Sequence, residues 1–375
     1  MNKKIILSVL LTSASLFLSA CGSSGSSSSS SDDNTPKKSA LFVFGSDYKS
    51  GELRWMNPGD SALSSDSLSF YNDSKIIARG EYLFVLSRES GSENIAVIDA
   101  AKLSEGKGAV IGQHSIEAGS NPYDLAFVSD SVAWLAEYNL AKLIKINPFT
   151  GNVLDSVSTA AFAAKGATSP NMADLAITGD TLIALMQRSA NYVFSNPGLV
   201  ALYNAGTGKL LDTIPLKTSN PQAMALYKGK LWIATAGAYN ASYGFDADSL
   251  RGLESIDLTA KNPAAELVKT GKDFGGGLYG SLALDSAEGI LYAPVYVTYG
   301  SVSLASYDIA GKSTGTVKGI KDAEGSLYFD EYSGALYIGD RTYGSEKIYV
   351  YADGTLTGID AGSALAPYGI ALARW

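Results

Sequence analysis

A long-period repeat decides what this chain can fold into. The segments "IIARGEYLFVL" (76–86), "LAFVSDSVAWL" (125–135), "LAITGDTLIAL" (175–185), "MALYKGKLWIA" (224–234), "LALDSAEGILYA" (282–293) and "LYFDEYSGALYI" (327–338) share one plan. Each is a short apolar strand, a turn with Gly, Asp or Ser, and a second strand. The equivalent positions Ile77, Ala126, Ala176, Ala225, Ala283, Tyr328 and Ala371 are spaced by 49, 50, 49, 58, 45 and 43 residues. A second element follows in each unit, as in "LIKINPFTGNVLDSV" and "LVALYNAGTGKLLDTI". It too is strand, polar turn, strand, with the alternation of half-buried β structure. Capped helical spacing is absent from this reading.

Four strands in each unit of ~40–50 residues make a propeller blade. Six inner strands open units between Ile76 and Asp360, and a seventh, "PYGIALARW", has nothing after it. The stretch "ALFVFGSDYKSGELRWMN" has outer strands and no inner one. The pattern therefore predicts an all-β, seven-bladed β-propeller of four-stranded blades. The C-terminal strand completes the first blade and removes two open edges. Trp375 is then structural, and loss of the last nine residues is disproportionately damaging.

The segments "EYLFVLSRESGSENIAVID", "NPYDLAFVSD" and "APYGIALA" resemble the YVTN-type seven-bladed β-propellers of bacterial extracytoplasmic proteins. The resemblance covers essentially Ser39 to Trp375 and implies a fold. The family includes surface proteins, binding proteins and some enzymes, and a fold by itself does not choose among them.

The beginning of the chain reads differently. Lys3 and Lys4 precede an apolar run from Ile5 to Phe17, too short for a span of ~20 apolar residues and laid out as an export signal. Leu18-Ser19-Ala20-Cys21 resembles the lipobox of bacterial lipoproteins, which implies lipidation of Cys21 and anchorage in the cell envelope. Gly22 in place of Asp points towards the outer membrane, with a periplasmic or surface-facing domain. Residues 22–38 are Ser-, Gly- and Asp-rich, a disordered tether that cannot bury enough apolar surface to offset its ordering entropy. The expected organisation is a signal peptide at 1–20, the lipidated cysteine and tether at 21–38, and one propeller at 39–375. No later apolar run reaches membrane-spanning length, so the remainder is expected to be soluble.

Cys21 is the one cysteine, so no intrachain disulfide is possible. The net charge of -8 becomes -10 once Lys3 and Lys4 leave with the leader, which argues against nucleic acid as a partner.

Loop lengths locate a candidate site. Turns between first and second strands are short ("VSDS", "TGD", "YKGK"), whereas loops between second and third strands include "MQRSANYVFSNPG" and "TAGAYNASYGFDADSLRG". The latter share a face with the loops entering the inner strands, such as "SNPYD", "DFGGGLYGS" and "APYG". Loops on a rigid scaffold are where binding residues concentrate. The candidate ligand-binding residues are Tyr48, Tyr138, Tyr192, Tyr239, Tyr243, Tyr299 and Tyr343, with Asp47, Glu137, Asn139, Arg188, Asp340 and Arg341. Flat aromatic faces pack on sugar rings or peptide side chains, while Arg and carboxylates bond hydroxyls and charges.

Catalytic templates find little support. His114 is the one histidine, in an outer-strand setting, so neither a triad nor a His-rich metal centre can be assembled around it. "DADS" (246–249) alternates oxygens but lacks the Gly and distal Glu of a calcium loop. The expectation is a non-catalytic, cofactor-free lipoprotein that binds a glycan or an envelope protein on its loop-rich face. Two alternatives stand beside it. One is a metal-dependent, calcium-type lactonase or lyase-like enzyme at the channel mouth, using Asp124, Asn171 and Asp174. The other is a scaffold for envelope assembly.

Overall fold

The computed structural model describes residues 38–375 except 89, 90, 192, 195, 240–245, 247, 248 and 299. The signal peptide, Cys21, most of the tether, Tyr192, Tyr243 and Tyr299 lie outside the described residues, as does part of "DADS". Seven antiparallel sheets account for nearly all the described secondary structure. Blade 2 runs Ser74–Arg79, Tyr82–Ser87, Asn94–Asp99 and Val110–Ser115 from the inside outwards, with 3-10 turns over Ala100–Ala109, capped by Asp99, between its third and fourth strands. Blades 3, 4, 5 and 7 repeat the order from inner strands Pro122–Ser129, Met172–Thr178, Pro221–Tyr227 and Leu327–Asp330. Ile77, Ala126, Ala176, Ala225, Ala283, Tyr328 and Ala371 all fall on inner strands, so the repeat is one of blades.

Blade 1 is assembled from both ends of the propeller. Its inner strand is Pro367–Arg374, paired antiparallel with Ser39–Ser46, and Gly51–Met56 and Leu68–Phe70 follow outwards. Lys38 and Trp375 exchange backbone hydrogen bonds of 3.0 and 3.1 Å at the end of this ladder. Arg374 pairs with the buried carboxylate of Asp330 in blade 7, and its backbone N–H donates to Gly80 of blade 2 at 2.9 Å. The closing strand is thus fastened to both neighbours as well as to its own sheet.

Alternation explains the packing. Along Tyr82–Ser87, Leu83 and Val85 meet Phe42 and Phe44 of blade 1, while Phe84 and Leu86 meet Leu135 and Ile144 of blade 3. The buried side chains sort in this way into seven clusters, one at each junction between neighbouring blades. Each large side chain fully buried there contributes roughly 1.5–3 kcal/mol of transfer free energy.

Two features depart from the sequence reading. In blade 6 the inner strand is split into Gly277–Leu278 and Ala283–Asp285, both paired with Ile290–Thr298. A single helical turn, Gly271–Phe274, precedes it, with Asp273 Oδ2 accepting from the Thr270 backbone N–H and hydroxyl at 2.8 Å. The expectation of no capped helix is corrected here: the Thr-x-x-Asp box is short and its apolar face negligible, so periodicity could not reveal it.

Candidate functional site

The two loop families meet on one face, as their lengths predicted. Tyr138 and Asn139, leaving the second strand of blade 3, donate backbone N–H groups to Asn121 and Ser120 in the loop entering the inner strand, at 3.0 and 3.1 Å. Gln187 and Arg188 do the same to Asn171 and Pro170, and Ala236 and Gly237 to Asn220 and Ser219. Asn121, Asn171 and Asn220 have φ of 49°, 57° and 55°, a left-handed turn that asparagine tolerates better than most residues.

At the centre of this face is a cavity of about 520 Å³ whose wall takes residues from the inner strands of all seven blades or the loops that enter them. Two residues before each repeat mark stand Lys75, Asp124, Asp174, Ala223, Ser281, Ser326 and Gly369. The charged three are joined. Lys75 Nζ is 2.9 Å from Asp124 Oδ1 and 4.0 Å from Asp174 Oδ1. The other oxygens face backbone: Asp124 Oδ2 accepts from Leu175 N at 2.8 Å, and Asp174 Oδ2 accepts from Met224 N at 2.8 Å. Each carboxylate thereby bridges its own inner strand to the next. Burial, then the neighbouring Asp124, holds the Asp174 carboxyl well above the usual carboxylate range, although Lys75 pulls the other way. Burial opposes the charge on Lys75, but the two aspartates outweigh it and raise its pKa.

Above this floor the wall is aromatic. Tyr48, Tyr123, Tyr279 and Tyr368 line the cavity with Arg88, Gln222 and Glu324. The Arg88 guanidinium pairs with Asp73, donates to Tyr368 Oη at 3.0 Å, and lies 4.7 Å from the Tyr123 ring centroid. Tyr123 in turn stacks on Tyr138 at 4.8 Å and 30°. Burial pushes the Tyr279 hydroxyl far above the ordinary phenol range, so it remains a neutral donor. Glu324 is half-buried, and burial followed by Asp322 raises its pKa, with Arg341 opposing. Its carboxylate accepts no hydrogen bond and has no cation within 4.0 Å among the described residues.

The residues singled out from sequence divide between the cavity and other duties. Tyr48 is at the mouth, with Arg341 beneath it at 5.0 Å from its ring centroid. Tyr138 backs the wall, its hydroxyl donating to Gln187 Oε1 at 2.5 Å, and Tyr239 packs edge-on against Phe194 at 5.4 Å. Arg341 is buried, and its guanidinium donates to the carbonyls of Ala366, Pro367 and Ser46 at 3.1–3.2 Å, locking the join between blades 7 and 1. Asp47 and Asp340 form turns, accepting from Lys49 and Ser50 and from Lys321 and Thr342. Arg188 secures the carbonyls of Phe162 and Pro197. Asn139 edges a separate hollow of about 200 Å³. Tyr343 is 99% exposed and outside the cavity wall.

Glu137 is 0% exposed and ends a strand whose alternate residues Ala133 and Leu135 face the junction of blades 2 and 3. Burial pushes its carboxyl up to about 7, against the pull of Lys142 at 3.7 Å.

Of the residues weighed for a channel metal, Asp124 and Asp174 are engaged as above. Asn171 Oδ1 instead accepts from Ser189 N and Oγ at 3.1 and 3.0 Å. Among the described residues no three His, Cys, Asp or Glu side chains stand close enough together to hold a metal ion. His114 Nε2 donates to the Phe149 carbonyl at 2.6 Å on the outer strand of blade 2. Sequence reasoning missed Lys75, Arg88, Tyr123, Gln222, Tyr279, Glu324 and Tyr368. For Tyr123, Tyr279 and Tyr368 the signal was present in "SNPYD", "DFGGGLYGS" and "APYG", although the structure places Tyr123 and Tyr368 at the starts of their inner strands and Tyr279 in the break of the blade 6 strand.

The architecture and its central cavity define a seven-bladed β-propeller with a ligand-sized mouth. No family model matches the chain, and no curated protein matches it by sequence. Among solved structures it is similar to two candidate 6-phosphogluconolactonases. The one from Bacteroides uniformis has a TM-score of 0.62 at 10% identity, over 90% of this chain and 99% of that one. The one from Bacteroides fragilis has a TM-score of 0.61 at 13% identity, over 90% and 98%. AztD from Citrobacter koseri gives 0.51 at 10% identity, over 90% and 98%. At these identities the likeness is one of fold alone.

Proposed function

We propose that this protein is a lipid-anchored envelope propeller that binds a glycan at its channel mouth. The anchorage rests on Leu18-Ser19-Ala20-Cys21 and the serine tether. The binding rests on one observation, the cavity of about 520 Å³ walled by four tyrosines with Arg88, Gln222 and Glu324 among them. Tyrosine faces accept the C–H faces of a sugar ring, and the amide, the carboxylate and the neutral Tyr279 hydroxyl bond to its hydroxyls. The volume suits one or two sugar units, within the range of small-molecule sites.

Calorimetric titration with neutral oligosaccharides and peptidoglycan fragments tests this. Saturable binding is expected, weakened about tenfold or more by Tyr279→Ala through loss of stacking area. Absence of binding across both sets, or binding indifferent to Tyr279→Ala, overturns the reading. A second reading is favoured by Asp174, beside Asp124, whose carboxyl is held above the usual carboxylate range by burial and so suits general acid–base work on a lactone or glycoside. It predicts turnover of such a substrate that disappears in Asp174→Asn while binding persists.

A further inference from the structure

Two tryptophans occupy the same place in different blades. Trp134 is the third residue of Val132–Glu137 in blade 3, and Trp232 the third residue of Lys230–Thr235 in blade 5. Each packs on the third strand of the following blade, Trp134 on Tyr203 and Trp232 on Tyr307. At the first junction the space is filled. The Trp134 indole N–H donates to the Ala205 carbonyl at 2.8 Å, and Gly208 sits so close that a Cβ there would stand 2.9 Å from the indole Cη2. At the second junction the turn after Tyr307 runs Asp308-Ile309-Ala310-Gly311-Lys312 and leaves a cleft of about 420 Å³. Trp232 lines this cleft, 5% exposed, and its buried indole N–H has no acceptor among the described residues.

The cleft has a second peculiarity. Lys228, Lys230, Lys269 and Lys312 all line it, against the single acid Glu266. Among the described residues none of the four has a carboxylate within 4.0 Å or a side-chain hydrogen bond. On a chain of net charge -8, four lysines without an ion pair, one of them 4.7 Å from the Tyr227 ring centroid, gather beside Trp232, Tyr307 and Tyr227 and make this cleft locally cationic.

We infer that this cleft between blades 5 and 6 binds an acidic sugar, a ring bearing carboxylate or phosphate. The ring's apolar face lies on the half-buried Tyr227, with Trp232 and Tyr307, 5% and 2% exposed, closing the cleft behind it, and the lysines hold the anionic group. The aromatic floor selects for a ring over a bare ion, and the lysines select for charge over a neutral sugar. This site shares no lining residue with the channel mouth. Lys228 and Lys312 come from turns between the first and second and between the third and fourth strands, on the face opposite the elaborated loops.

The experiment follows tryptophan fluorescence and heat while the purified protein is titrated with trigalacturonate, glucose 6-phosphate, maltotriose and inorganic phosphate. Saturable binding is expected for the uronate or the sugar phosphate, the responding probe identifying which anionic group is read. Affinity should fall as salt rises. The double variant Lys230→Glu/Lys269→Glu should weaken it about tenfold or more, with melting confirming the fold. The milder pair Lys228→Ala/Lys312→Ala should act in the same direction. Tyr279→Ala at the channel mouth should leave it unchanged, which separates this site from the glycan site. The inference is overturned if no acidic sugar binds, if maltotriose or inorganic phosphate binds the Tyr279→Ala protein as tightly, or if both lysine variants bind like the parent protein.

Discussion

The two halves of the inner ring are held together by different means. From blade 2 to blade 5, side chains span the gaps: Lys75 reaches Asp124, Asp124 reaches Leu175 N, and Asp174 reaches Met224 N. From blade 6 round to blade 1 the same positions carry Ser281, Ser326 and Gly369, and backbones approach directly. A Cβ on Gly325 would stand 2.7 Å from the Gly339 carbonyl oxygen and 2.9 Å from that of Pro367. At these positions one half relies on charge and hydrogen bonds and the other on small residues, with Arg374–Asp330 and Arg341 spanning the join of blades 7 and 1 further along. A repeat can therefore keep its geometry while the chemistry facing the channel differs from blade to blade.

The widest contrast comes from the join. Deleting residues 367–375 removes the inner strand of blade 1, exposing the Ser39–Ser46 edge and taking Ala371 and Ala373 from one junction cluster and Ile370 and Leu372 from another. The expected result is loss of cooperative melting, followed by circular dichroism or calorimetry. A smaller effect belongs to the charged half. Asp174→Ala strips the acceptor from Met224 N and should cost ~2–3 kcal/mol in denaturant unfolding. The equivalent Ser281→Ala should be close to neutral, because the buried Ser281 Oγ has no partner among the described residues. Equal costs at the two positions would erase the distinction between the halves.

On the backbone-packed side, Gly325→Ala should cost ~1–3 kcal/mol through overpacking against two carbonyls. Gly325→Ala tolerated without loss would show that this half has slack.

The smallest effect concerns Glu137 on the charged side. Its folded carboxyl titrates at about 7 against an ordinary 4.5, so the native state keeps a proton that the unfolded chain has released between those values. Stability therefore falls as pH rises from about 4.5 to about 7 and levels off above. Melting at pH 5 should exceed that at pH 8 by a few degrees on this account. Glu137→Gln should flatten that difference, mostly by raising the pH 8 value.

The blades were legible in the sequence because half-buried strands write their geometry as alternation, and seven repetitions of Ile77-like positions fix the count. The split inner strand of blade 6 was not, since the glycines around Leu278 give no apolar pattern to follow. The face bearing the cavity was legible from loop length. Its individual members were less so, because tyrosines were sought in the longest loops while the wall is built at the starts of inner strands, at Tyr123 and Tyr368, and in the break of the blade 6 strand, at Tyr279. Glu137 could have been read correctly from parity with Ala133 and Leu135, which turns it inward. The turn-forming roles of Asp47 and Asp340 carry the signature of a short polar run after the aspartate, which competes with any reading of a free carboxylate. The meeting of Lys75 with Asp124 and Asp174 joins residues in three separate repeats, and no local pattern announces it.

The pairing of Leu41 with Leu372 bridges 331 positions of chain, which makes the ring's latch its most non-local contact. Synthesis or transport from the N-terminus delivers the first blade's receiving strand early and its partner last. Loop-closure entropy and contact order then place completion of the ring at the end of folding, on the slow side for domains of this kind. Until that moment the nascent chain keeps an open edge at Ser39–Ser46, a template for strand exchange with its neighbours.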